Sequence, residues 1–151
     1  MNHEDHEDLE GHESSGLVKP GIGQPSPLTP EAEVVMSQTI GCAISVHRAL
    51  GPGFLESIYK KAMSIELESR NLAYESERSV HVNYRGVAIV GQRVDLIVAG
   101  LIVVELKSVV RLDDVHRAQL ISYLRTTGLR GGLLINFRVP VLRDGLRRVV
   151  L

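Results

Sequence analysis

A single cysteine, Cys42, occurs in 151 residues, so no internal disulfide can form and a reducing compartment is expected. Long apolar runs are missing as well. The longest, residues 96–104, has nine residues counting Ala99 and Gly100, far short of the ~20 needed to cross a bilayer. No secretory leader is expected either, because the first 16 residues are acidic rather than basic and then apolar. These absences exclude a disulfide-stapled scaffold and a bilayer-spanning helix, and point to a soluble, cytoplasmic protein.

What remains suffices for one domain, since 151 residues at 44% hydrophobic content can build a single core. The net charge of −1 hides an asymmetry. Residues 1–30 carry six acids (Glu4, Asp5, Glu7, Asp8, Glu10, Glu13) against one base, Lys19, a net −5. Residues 31–151 hold 16 bases and 12 acids, a net +4. A mildly basic domain suits a nucleic-acid partner, although many solvated surfaces carry the same charge.

Residues 1–28 lack periodic hydrophobicity and are rich in Pro20, Gly21, Gly23, Pro25 and Pro27, so a disordered acidic tail is predicted. Its HEDHED run (residues 3–8) with His12 offers ligands for a transition metal, but a solvated tail is the simpler reading. The folded domain is expected over 29–151. Thr29 followed by Pro30 signals a helix start, and Val35, Ile40, Ala43, Ile44 and Val46 give 31–50 an amphipathic period. Gly51-Pro52-Gly53 stops that helix. A second is predicted over 54–71, with Leu55, Ile58, Ala62, Ile65 and Leu67 on its buried face. Strand-like runs follow at 79–84, 87–90, 92–98 and 101–108, with a turn at Arg85-Gly86. Asp113 or Asp114 caps a third helix, 115–127, ended by Gly128. Strands at 131–137 and 146–151 complete an α+β sandwich around one sheet.

The chemistry concentrates in residues 92–109, where Asp95, Glu105 and Lys107 interrupt an otherwise apolar hairpin. Glu105 and Lys107 are two apart and share one strand face, with Val104 and Leu106 on the other. Asp95 joins them only if the hairpin loop has an odd length. A two-residue Ala99-Gly100 turn would set Asp95 opposite Val104, whereas a three-residue loop corrects the parity. Gly100 is expected to supply the positive φ of a type I turn with a G1 bulge. Converging carboxylates repel unless a cation lies between them. Hard oxygen ligands select Mg²⁺ or Mn²⁺ over zinc, and such an ion suits phosphodiester hydrolysis, with a nearby lysine to orient the water. The same spacing also suits a Glu–Lys pair on the open face of a half-exposed sheet.

The Asp-x(9)-Glu-x-Lys arrangement resembles the PD-(D/E)XK nuclease superfamily. Gly53-Phe54-Leu55-Glu56-Ser57-Ile58-Tyr59 resembles the motif of the small prokaryotic GxxExxY proteins, a branch of that superfamily. The blocks VHRALGPGFLESIY, VVELKSV, VHRAQLISYLR and GLLINFRVPVLRDGLRRVVL extend the likeness almost end to end. The residue before Asp95 is Val94 where the superfamily name has proline, a position that varies widely there. The resemblance implies a restriction-endonuclease-like α/β sandwich, a mixed central sheet flanked by helices. It also implies a Mg²⁺- or Mn²⁺-dependent nuclease acting on DNA or RNA, the alternative being a nucleic-acid-binding or assembly module that keeps the fold. By the same likeness Asp95, Glu105 and Glu56 are metal ligands, Lys107 is the catalytic lysine, and Gln119 supports the site with Tyr123 one helical turn on.

Other residues have structural readings. Glu56 suits the first turn of its helix whatever its role. Tyr59 is expected to pack, with its hydroxyl at the edge, and His47 and His116 to serve structure at helix surfaces. Gly51 and Gly53 suit a sharp turn that presents Glu56. Arg85, Arg93, Arg111, Arg117, Arg125, Arg130 and Arg138 are candidates for a phosphate path.

Overall fold

A computed structural model describes residues 27–151; the HEDHED run lies outside them. The first helix, α1 (Pro30–Leu50), starts where Thr29 caps it: the Thr29 hydroxyl accepts from the Ala32 N–H at 3.1 Å, with Pro30 leading the first turn. Helix α2 (Glu56–Ser69) follows, then a long hairpin of β1 (Tyr74–Tyr84) and β2 (Val87–Val98). Strand β3 (Ile102–Lys107), helix α3 (Asp114–Thr127), strand β4 (Gly131–Asn136), a 3₁₀ turn (Leu142–Gly145) and strand β5 (Leu146–Val150) complete the described chain. The runs expected at 87–90 and 92–98 are one continuous strand.

The strands form one mixed sheet in the order β1-β2-β3-β4-β5. All neighbours are antiparallel except β3 and β4, which run parallel because α3 returns the chain to the end of the sheet at which β3 begins. Helices cover both faces, and burial on two sides accounts for the apolar runs Leu96–Val98, Ile102–Val104 and Leu133–Ile135. Leu96, Val98, Val104, Leu106, Leu133 and Ile135 pack towards α1 and α2 with Met36, Met63 and Leu67. Ile97, Val103, Leu134 and Val149 pack towards α3 with Leu120 and Leu124. Each fully buried Leu or Ile contributes about 1.5–3 kcal/mol. Leu28, expected in the tail, is 7% exposed and belongs to the core on the α1 side, where Gly131 at the start of β4 leaves room for it.

Candidate active site

The β2–β3 turn decides what faces what. Val98 pairs with Ile102 and Leu96 with Val104, so the loop holds three residues, Ala99-Gly100-Leu101, and Asp95 falls opposite Glu105. The expected odd length is present, but the turn is of another type. Both Ala99 (φ 52) and Gly100 (φ 65) are left-handed, and Leu101 N–H donates to Val98 O at 3.0 Å, as in a type I′ turn. The cause is non-local: Ala99 N–H donates to Ala73 O at 2.7 Å, carrying the β1–β2 pairing past Val98.

Beyond Leu96 the two strands are joined by carboxylates. Asp95 N–H donates to Glu105 Oε1 at 3.0 Å, and Leu106 N–H donates to Asp95 Oδ2 at 2.8 Å. Both residues are buried, Glu105 to 3% exposure and Asp95 to 8%. Burial, then the adjacent Asp95 charge, raises the Glu105 pKa to about 8, so near neutrality and without a metal it tends to hold a proton. Lys107 occupies the next position on the same strand face, and its charge works to lower the Glu105 pKa.

Glu56 is delivered by the loop before α2. Gly51 (φ 67) and Gly53 (φ 112) turn the chain, and the Tyr59 hydroxyl staples the turn, donating to Gly51 O at 2.5 Å and accepting from Phe54 N–H at 3.2 Å. That second bond keeps Phe54 out of the helix, which therefore begins at Glu56 and not at 54. Tyr59 is fully buried, stacked on Phe137 at 4.3 Å, so its role is packing, though its hydroxyl lies inside and not at the edge. Burial raises the Glu56 pKa, Lys107 opposes that rise, and the Asp95 charge adds to it, so Glu56 shares the electrostatic field of the pair.

Sequence reasoning missed Lys60, one turn after Glu56 on α2. Its ammonium lies 3.1 Å from Asp95 Oδ1 and 2.5 Å from Glu77 Oε1. Burial acts to lower its pKa, but the hydrogen bonds to Glu77 and Asp95 outweigh that and raise it, keeping the side chain cationic. The pairs Ser76↔Leu96 and Arg78↔Val94 set Glu77 opposite Asp95, and Glu77 has a left-handed φ of 54. Three acids therefore stand in a row across β1, β2 and β3. The i,i+4 spacing from Glu56 was a usable signal for Lys60; Glu77 had none.

On α3, Gln119 Nε2 donates to the Tyr123 hydroxyl at 3.1 Å. Burial, then the Glu105 charge, raises the Tyr123 pKa, which sets the pair beside the carboxylates. Asn136, also missed, locks the segment after Lys107: its amide donates to Val109 O at 2.9 Å and accepts from Val109 N–H at 3.1 Å. A groove of about 450 Å³ opens next to Glu56, lined by Gly53, Phe54, Leu55, Ser108 and Arg138. His47 is buried and its Nε2–H donates to Val139 O at 2.8 Å, while His116 Nδ1 accepts from Asp113 N–H at 2.9 Å; both serve structure. Of the seven candidate arginines Arg138 lines this groove, while Arg111 pairs with Asp113 and Arg130 donates to Leu151 O.

The donor chemistry fits a hard divalent cation, with two carboxylates meeting and no thiolate or imidazole among them. As they stand, the described residues contain no group of three or more His, Cys, Asp and Glu able to hold an ion. Glu56 reaches the pair through its field, and the cation beside Asp95 is Lys60.

A mixed sheet covered by helices on both faces, with a buried Asp–Glu pair and a lysine on the same strand, defines a nuclease-like α/β domain. A sequence model of the PD-(D/E)XK nuclease superfamily matches residues 33–149, and the chain belongs to that superfamily. No curated protein and no solved structure gives a significant match. No helix among the described residues is long and apolar enough to cross a membrane.

Proposed function

We propose that this domain hydrolyses nucleic-acid phosphodiester bonds with Mg²⁺ or Mn²⁺, and that it is a GxxExxY-type member of its superfamily. The observation that carries the reading is the Asp95–Glu105 pair, buried and cross-linked over β2 and β3, with Lys107 next on the same face. The GxxExxY reading draws support from the Tyr59 staple that positions Glu56. A cytoplasmic setting goes with it, since Cys42 is a buried free thiol.

Asp95 and Glu105 would hold the ion, with Glu56 adding negative charge from α2. When bound, the ion supplies Lewis acidity to the scissile phosphate and acidifies a bound water. Lys107 would orient the attacking water and offer its ammonium to the developing negative charge. Gln119 and Tyr123, hydrogen-bonded to each other, would support the carboxylates from the α3 side. Arg138 and the half-exposed Phe54 give the groove a cation for a flanking phosphate and a ring on which a base can stack.

Lys107→Ala should leave metal binding nearly intact yet lower turnover by roughly 10²-fold or more. Glu105→Ala should lose both together. The assay is cleavage of single- and double-stranded DNA and RNA with Mg²⁺ or Mn²⁺, and activity surviving in Lys107→Ala would refute this mechanism. One observation favours a second reading, a non-catalytic nucleic-acid-binding or assembly module: Lys60 already neutralises Asp95. Wild-type protein that binds nucleic acid but cleaves no form of it would establish that alternative.

A further inference from the structure

Lys60 stands where the carboxylate row calls for a cation. It reaches across from α2 to bridge Glu77 and Asp95, two members of the row, and its side chain is only 23% exposed. Glu77 takes up a left-handed backbone, which residues with a Cβ rarely adopt, at the position opposite Asp95. At this position the Glu77 carboxylate holds the Lys60 ammonium. The two halves of the bridge differ in burial: the Asp95 side chain is 11% exposed and that of Glu77 43%. Lys60 therefore has an inner seat on Asp95 and an outer one on Glu77.

We propose that Lys60 is a tethered counter-ion that neutralises Asp95 in the metal-free protein, and that a divalent cation enters by displacing it onto Glu77. The proposal rests on the reading of Asp95 and Glu105 as metal ligands. An ammonium and a divalent ion cannot both sit against Asp95 Oδ1, because they repel and compete for the same lone pairs. Metal affinity is then the intrinsic affinity of the carboxylates reduced by the cost of moving Lys60. Glu77 sets that cost by offering the displaced ammonium a partner. Coupling of this kind is reciprocal, so whatever holds Lys60 inward must hold metal out.

The test is calorimetric titration of Mn²⁺ into the full chain at fixed pH and ionic strength, for wild type, Lys60→Met, Glu77→Gln and the double variant. Lys60→Met should bind roughly tenfold tighter. Glu77→Gln should bind more weakly, because Lys60 has lost its outer seat. The double variant separates displacement from plain through-space charge. Displacement predicts that it binds like Lys60→Met, since Glu77 acts only through Lys60. Additive charge effects predict a return towards wild type, and that result would overturn the proposal. Unchanged or weaker binding by Lys60→Met would overturn it too while leaving the metal site standing. If none of the four proteins binds Mn²⁺, the metal reading falls and this inference with it. Should Lys60→Met fail to fold by circular dichroism, Lys60→Gln takes its place in the same four-protein comparison, and unchanged Mn²⁺ affinity in Glu77→Gln would still overturn the proposal.

Discussion

Glu105 bears the heaviest electrostatic burden at the residue scale, and its sign can be worked out. Its folded pKa of about 8 lies above the ordinary 4.5, so between those values the folded metal-free protein retains a proton that the unfolded chain has lost. The stability this contributes is fully present below pH 4.5 and drains away as pH rises through about 8. Calorimetric melting in chelator should therefore show Tm falling between about pH 5 and 8.5, and Glu105→Gln should flatten that slope. Parallel slopes in the two proteins would show that Glu105 is not the titrating group. Saturating Mn²⁺ should lift Tm most at the alkaline end, where the carboxylate is already ionised. Much of this site could be read from sequence, because a charge inside an apolar strand is anomalous and strand parity is strict. Asp95, Glu105 and Lys107 followed from those two rules, and the Gln119–Tyr123 contact from helical spacing. Lys60 obeys the same spacing from Glu56, but a lysine on a helix surface raises no alarm. Glu77 acquires its role from the β1–β2 register and a left-handed backbone, neither of which has a local signature.

Two turns illustrate how elements aim these residues. The β2–β3 loop has the length that carboxylate chemistry requires, but its left-handed Ala99 is set by a hydrogen bond to Ala73, which sequence distance conceals. A methyl group at φ 52 is strained where glycine would not be. Ala99→Gly should consequently stabilise the fold by about 0.5–1 kcal/mol in denaturant titration, the relief outweighing the added freedom of the unfolded chain. A loss of stability would mean that the turn carries no strain. The loop before α2 depends instead on Tyr59. Tyr59→Phe keeps the stack on Phe137 but leaves Gly51 O and Phe54 N–H without their partner. A cost of about 1–3 kcal/mol is expected, the usual penalty for stranded polar groups. If Glu56 contributes to the metal site, the same variant should also weaken Mn²⁺ binding. Intact affinity together with lowered stability would confine Tyr59 to packing.

The layered architecture was legible at the scale of the molecule, since apolar strands bounded by amphipathic helices must be covered on both faces. The parallel β3–β4 contact follows from the α3 crossover, and it alone brings Asn136 beside Lys107. Charge is the other property of the whole chain, and it divides sharply. Residues 1–26 hold six acids and one base, a net −5, and residues 27–151 hold 16 bases and 12 acids, a net +4. An acidic segment tied to a basic domain competes with any polyanion for the same surface, at a strength set by tethering and weakened by salt. Removing residues 1–26 should therefore tighten binding of a single-stranded oligonucleotide several-fold at about 50 mM salt, with the advantage fading towards about 300 mM. The cut spares Leu28, which the core needs, so Tm should move by no more than about 5 °C. Fluorescence anisotropy across a salt series and a melting curve on the same shortened chain supply both readouts. Tighter binding with an unchanged Tm would identify the segment as an electrostatic competitor. A large drop in Tm would show that it contributes to the fold, and equal affinity at every salt concentration would refute the competition outright.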